Sequence, residues 1–124
     1  YTAMALKIDE FKENDILILD LAGQITLGEG NRVLHEALRR YVEEGERKIM
    51  LNLESVTGID SSGLGELVAG YATLEKNGGA LKLLNLSDRI TELMTVTKLF
   101  TVFEIFDDET AAIKSFNSPN PART

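Results

Sequence analysis

The sequence predicts an α/β domain: a mixed, mainly parallel sheet of about five strands with an antiparallel N-terminal edge strand, covered by about four helices. Three observations predict it. Short, nearly continuous apolar runs recur along the chain (Ile16–Leu21, Lys48–Leu53, Ala80–Asn85), as strands buried on both faces do. Stretches with apolar residues at helical spacing separate these runs, and strand-helix alternation is the pattern of a parallel sheet. Only the first two apolar runs follow each other too closely for a crossover helix, so they must pair antiparallel. With 124 residues the chain is sized for one domain.

Leu6–Phe11 reads as the first strand, and Lys12-Glu13-Asn14-Asp15 as the polar turn into the second, Ile16–Leu21, which Gly23 is expected to break. From about Glu29 the period becomes helical: Val33, Leu34, Ala37, Leu38, Tyr41 and Val42 share a stripe opposite Arg32, Glu36, Arg39, Arg40, Glu43 and Glu44. Gly45 follows, where a left-handed cap belongs. Lys48–Leu53 is the third strand. A second helix is expected from Ser62 to about Asn77, burying Leu64, Leu67, Val68, Tyr71, Ala72 and Leu74 before the Gly78-Gly79 break. Ala80–Asn85 is the fourth strand, and Ser87 can cap a helix that turns Ile90, Leu93 and Met94 inward. Thr101–Phe106 reads as the last strand, and Asp107 or Asp108 as the cap of a closing helix with Ala111, Ala112 and Ile113. Tyr1-Thr2-Ala3 look like added residues before a natural initiator at Met4, the domain is expected over 5–116, and 117–124, with Pro119 and Pro121, reads as a loose tail.

Composition removes several function classes. There is no cysteine, so disulfides, thiolate metal sites and thiol nucleophiles are out. Twenty acidic residues against 13 basic give a net charge of −7, which opposes nucleic acid and anionic membrane surfaces as partners. No apolar run reaches the roughly 18 residues of a membrane span and no signal peptide is evident, so a cytoplasmic protein is expected. The single histidine, His35, lies within a helical pattern far in sequence from the serines, and no nucleophile elbow surrounds Ser61 or Ser62. Gly28-Glu29-Gly30 lacks the third glycine of a dinucleotide loop, because position 33 is valine. No P-loop, calcium loop or other metal motif is present, and neither a cofactor nor an enzyme activity is expected.

The informative stretch is Asn52 to Leu67, in which a buried strand delivers the chain to a loop and a helix start. The carboxyl ends of parallel strands are where binding sites collect. The first N–H groups of a helix have no intrahelical partner and carry about half a positive charge. Asp60 or Ser61 can cap them, and Gly63 and Gly65 are expected to leave the outer face of the first turn as bare backbone. Each costs roughly 1 kcal/mol of helix propensity relative to Ala, so two glycines there serve something other than helix stability. One reading is capping and tight packing. The other is docking of a partner on the bare turn, with phosphorylation of a hydroxyl, whose dianion suits a helix N-terminus.

Asp60-Ser61-Ser62-Gly63-Leu64-Gly65-Glu66-Leu67 resembles the signature of the STAS domain family found in bacterial anti-sigma factor antagonists. The Gly23-containing turn, the Gly78-Gly79 break and the element order extend the likeness from about Leu6 to Phe116. Without a transmembrane segment, the chain is similar to the stand-alone antagonists. The resemblance implies a phosphorylation-controlled partner switch. In it, the unmodified protein binds an anti-sigma factor that is also a serine kinase and frees the sigma factor. Phosphorylation at Ser62 dissociates the complex, and a serine phosphatase (PP2C type) resets it. It also implies that Asp60 shapes the loop, that Ser61 caps or touches a partner, and that Gly63, Leu64 and Gly65 lie on the contact surface. Thr26 stands where family members often carry Asp, supplying a hydroxyl but no charge. An unmodified scaffold or small-ligand sensor is the alternative role, and a monomer or weak dimer is expected.

Overall fold

The computed structural model describes residues 6–117; the expected start at 1–4 and the prolines of the tail lie outside them. Among the described residues, five strands lie in the order β1-β2-β3-β4-β5. They are β1 Leu6–Glu13, β2 Ile16–Ile25, β3 Lys48–Ile59, β4 Ala80–Leu84 and β5 Ile105–Phe106. β1 pairs antiparallel with β2, and every later pairing is parallel. The helices are α1 Glu29–Glu43, α2 Ser61–Lys76, α3 Asp88–Thr97 and α4 Glu109–Asn117.

The alternation of side chains along each strand divides the core. Leu17, Leu19 and Leu21 of β2, Ile49, Leu51 and Leu53 of β3, and Leu81 and Leu83 of β4 form one cluster with Leu34, Leu38 and Tyr41 of α1, Leu67 and Leu74 of α2, and Ile90 and Met94 of α3. The opposite face holds Ile16, Ile18, Met50 and Leu84, covered by Ala112, Ile113 and Phe116 of α4. A buried charge helps hold α4 there. Lys82 Nζ donates to Ser115 Oγ (2.9 Å), pairs with the Glu104 carboxylate (3.2 Å) and lies 4.7 Å from the centre of the Phe116 ring.

Four local expectations are corrected. Gly23 does not end β2; it takes φ 115 between two register shifts, and the strand continues to Ile25, opposite Ile59. β3 likewise runs six residues past Leu53. Thr101–Phe106 is not a six-residue strand: Leu99–Thr101 is a 3₁₀ turn and only Ile105 and Phe106 pair, with Leu83 and Leu84. Phe103 instead enters the main core, edge-on to Tyr71. Ala72 is exposed rather than buried.

β4 accompanies β3 only from Lys48 to Asn52, so β3 beyond Asn52 pairs with β2 alone. Where the sheet narrows, Asn52 Nδ2 donates to Asp20 Oδ1 (3.0 Å), while Asn52 Oδ1 accepts from the Glu54 N–H (3.1 Å) and Asn85 Nδ2 (3.3 Å). The β2–β3 ribbon carries the chain onward to Thr26 and Asp60.

The clamp on α4 is testable by urea denaturation. Lys82→Ala removes the stem, the ring contact and the Ser115 bond together and is expected to cost about 2 kcal/mol. Lys82→Met keeps the stem's volume and is expected to remain within about 1 kcal/mol of the native protein.

Candidate functional site

Ile25 and Ile59 are register partners at the ends of β2 and β3, so the next residues, Thr26 and Asp60, leave the sheet side by side. Asp60 is extended (φ −116, ψ −176) and caps α2, its Oδ1 accepting from the Gly63 N–H at 2.8 Å. Its Oδ2 accepts from the Leu27 N–H of the β2–α1 loop at 3.0 Å. Ser62 Oγ donates to Asp60 Oδ1 at 2.5 Å and accepts from Asn31 Nδ2, on the first turn of α1, at 2.6 Å. The Asn31 N–H donates to the Thr26 carbonyl (3.1 Å), closing the loop.

These donors act on the carboxylate's charge. The Ser62 hydroxyl contributes most, followed by the N–H groups of Leu27 and Gly63, and together they lower the Asp60 pKa from the usual 3.8 to about 2. The ionised form accepts all of these bonds, which is why it is favoured. At neutral pH, therefore, Ser62 stands beside a fixed negative charge. Its hydroxyl is half-buried, and Ser61 before it is exposed.

The glycines and the leucine of the motif take unequal places. Gly63 is buried, and a Cβ there would lie 2.0 Å from the Ile25 carbonyl oxygen, so it provides close helix-to-strand approach rather than outer surface. Gly30 does the same for α1, where a Cβ would meet the Gln24 carbonyl oxygen at 2.1 Å. Gly65 alone of the motif pair is exposed, with nothing within 4 Å of its Cβ position. Leu64 is 5% exposed and belongs to the core, which corrects its expected place on a contact surface: its position on α2 turns it onto the sheet. Thr26 is half-buried and its backbone, not a charge, takes part in the loop.

Two residues were not anticipated. Leu27 is 82% exposed, an apolar side chain beside the carboxylate that its own N–H binds. Asn31 is 8% exposed, yet it occupies the inward stripe of α1 three residues before Leu34 and seven before Leu38. A polar residue on an otherwise apolar stripe is the signal that would have found it. One turn beyond the Asn31–Ser62 contact, His35 Nδ1 lies 3.0 Å from Glu66 Oε1 between the same two helices. Among the described residues no group of three or more His, Cys, Asp or Glu side chains could hold a metal ion. Nor is any helix among them long and apolar enough to cross a membrane.

A doubly faced, mainly parallel sheet with this hydroxyl–carboxylate pair at the start of α2 defines a class, and a family profile agrees with it: the STAS domain profile matches residues 8–112, and the chain belongs to that family. Among curated proteins it is similar to the anti-sigma-B factor antagonist of Bacillus subtilis, 38% identical over 93 residues, which span 75% of this chain and 83% of that protein. Among solved structures it is similar in fold to an anti-sigma factor antagonist from Mycobacterium paratuberculosis (TM-score 0.83, 16% identical, covering 94% of this chain and 98% of that one). It is also similar to the Bacillus cell fate determinant SpoIIAA in its phosphorylated form (TM-score 0.69, 20% identical, covering 90% and 98%).

Two measurements check the site. Gly63→Ala is expected to destabilise the fold by about 2 kcal/mol or more, since backbone atoms at 2.0 Å must move. Gly65→Ala, in open space on a helix, should stabilise it by up to about 1 kcal/mol. For Asp60, folding lowers the pKa, so its contribution is complete above the unfolded value of 3.8 and is lost as pH falls through about 2. The stability gap between the native protein and Asp60→Asn, read from urea denaturation, is expected to be widest above pH 4 (about the unfolded value) and to shrink toward pH 2.

Proposed function

We propose that this protein is an anti-sigma factor antagonist that works as a phosphorylation-controlled partner switch. Unmodified, it binds an anti-sigma factor that is also a serine kinase, and the sigma factor is released. Phosphorylation of Ser62 by that kinase dissociates the pair, and a serine phosphatase restores the binding form. It is a binding module rather than an enzyme.

The observation that carries this reading is the Ser62 hydroxyl, half-buried at the first turn of a 16-residue helix and hydrogen-bonded to an ionised Asp60. The names of the relatives support the regulatory class, and a protein of this fold is known in a phosphorylated form. The surface around Ser62 is suited to docking, because Leu27, Ser61 and Gly65 are exposed while Gly63 and Leu64 supply the rigid base beneath.

Modification changes this surface without dismantling the fold. A phosphoserine adds roughly two negative charges. The helix N-terminus favours them, but Asp60 already caps that helix and loses the hydroxyl proton it was accepting. Rebinding would then require desolvating a dianion beside a carboxylate, in a protein already at −7. The leucine-rich core is built from other residues and neither Ser62 nor Asp60 belongs to it, so architecture is kept.

The test is incubation with ATP and the candidate anti-sigma kinase, followed by phosphate mapping by mass spectrometry. One phosphate at Ser62 is expected, abolished in Ser62→Ala and retained in Ser61→Ala. The binding constant for the kinase should weaken by at least tenfold (about 1.4 kcal/mol) on modification. No phosphate at Ser62, from a kinase active on another substrate, would overturn the proposal and favour an unmodified scaffold.

A further inference from the structure

We propose that Asn31 is a positioning residue for phosphoryl transfer to Ser62: its amide N–H fixes the hydroxyl so that its O–H points at the Asp60 carboxylate and one oxygen lone pair faces outward. The inference rests on the proposed switch and specifies how its acceptor is prepared.

A serine oxygen carries one proton and two lone pairs. Here the proton is given to Asp60 Oδ1 at 2.5 Å and one lone pair takes the Asn31 Nδ2 proton at 2.6 Å. A single lone pair remains for attack, and the hydroxyl's rotation is stopped by two partners on two different elements. Asp60 is held in turn by the Gly63 and Leu27 N–H groups, and Asn31 by the first turn of α1, so the pair cannot swing independently. In the transfer, Ser62 Oγ bonds to the γ-phosphorus of ATP, the bond from that phosphorus to the bridging oxygen breaks and ADP leaves. The hydroxyl proton departs to water, because Asp60 is too weak a base to keep it.

The second observation is what Asn31 forgoes. The residue is more than nine-tenths buried, and its Oδ1 is fully buried without a hydrogen-bond partner among the described residues. An unsatisfied buried carbonyl is destabilising. A leucine, with the same branched skeleton, on the same stripe as Leu34 and Leu38 would avoid it. A side chain kept for stability alone would not be an asparagine bonded by one end only, whereas a side chain kept to present Ser62 needs that N–H and nothing from its oxygen.

The experiment uses Asn31→Ala and, as a companion with the same branched skeleton, Asn31→Leu. In a carbon-detected NMR titration of the Asp60 carboxyl, loss of Asn31 frees the hydroxyl to rotate, so the Asp60 midpoint is expected to rise from about 2 toward 3.8. With the kinase that modifies the native protein, kcat should fall about tenfold to a hundredfold with KM unchanged. The melting temperature should be unchanged or higher, most clearly in Asn31→Leu. A midpoint still near 2 with native kcat, or a loss of phosphorylation that merely follows a lower melting temperature, would overturn the inference. A native protein that no kinase modifies would instead sink the switch, while the titration would still report on the hydroxyl.

Discussion

One carboxylate organises the tip of this molecule. Asp60 accepts from the first turn of α2, from the loop that opens α1 and from the Ser62 hydroxyl, joining two loops and a helix start through one side chain. Each of these bonds favours the ionised form, so the group that gives the site its geometry also gives it its charge. Geometry and electrostatics cannot be altered separately there. A phosphate on Ser62, two residues away, would have leverage for this reason: it would remove a bond the carboxylate uses and add a charge the carboxylate opposes.

Much of this was legible in the sequence, for identifiable reasons. The apolar runs of β2, β3 and β4 are long enough, and the stripes of α1 and α2 regular enough, that local pattern and tertiary demand coincide. The motif alone leaves the cap open between Asp60 and Ser61, and the structure gives it to Asp60; only the family resemblance singles out Ser62. What escaped was set by partners distant in the chain. Gly63 and Gly65 look alike in sequence, yet only the first faces Ile25, a residue 38 positions earlier. Leu64 was misplaced because a motif does not show which side of a helix meets the sheet. Asn31 touches Ser62 across 31 residues. The last strand was overestimated because Thr101–Phe106 is apolar enough for one, while only two residues are needed to finish the sheet beside β4.

The two faces of the sheet divide the labour. One is filled by leucine-rich stripes from three helices and supports the Asn31–Ser62–Asp60 chain at its edge. The other is closed by α4, where a lysine is made tolerable by a carboxylate, a hydroxyl and an aromatic ring. Polar groups enter the interior in both places, with different outcomes. Lys82 is fully engaged and reads as fastening; Asn31 is half engaged and reads as function. The contrast shows how unspent hydrogen-bonding capacity can separate an architectural polar residue from a working one.

The overhang of β2 and β3 beyond Asn52 has an evolutionary corollary. Because β4 leaves β3 at the Asp20–Asn52–Asn85 ladder, β3 farther along answers to one neighbouring strand instead of two, while β2 keeps β1 beside it as far as Gly23. The exposed residues out there, Glu54, Ser55 and Thr57, answer to fewer packing constraints than the buried Val56 and Ile59 beside them. The rim of the site can therefore vary in sequence while the foundation beneath goes on folding as before.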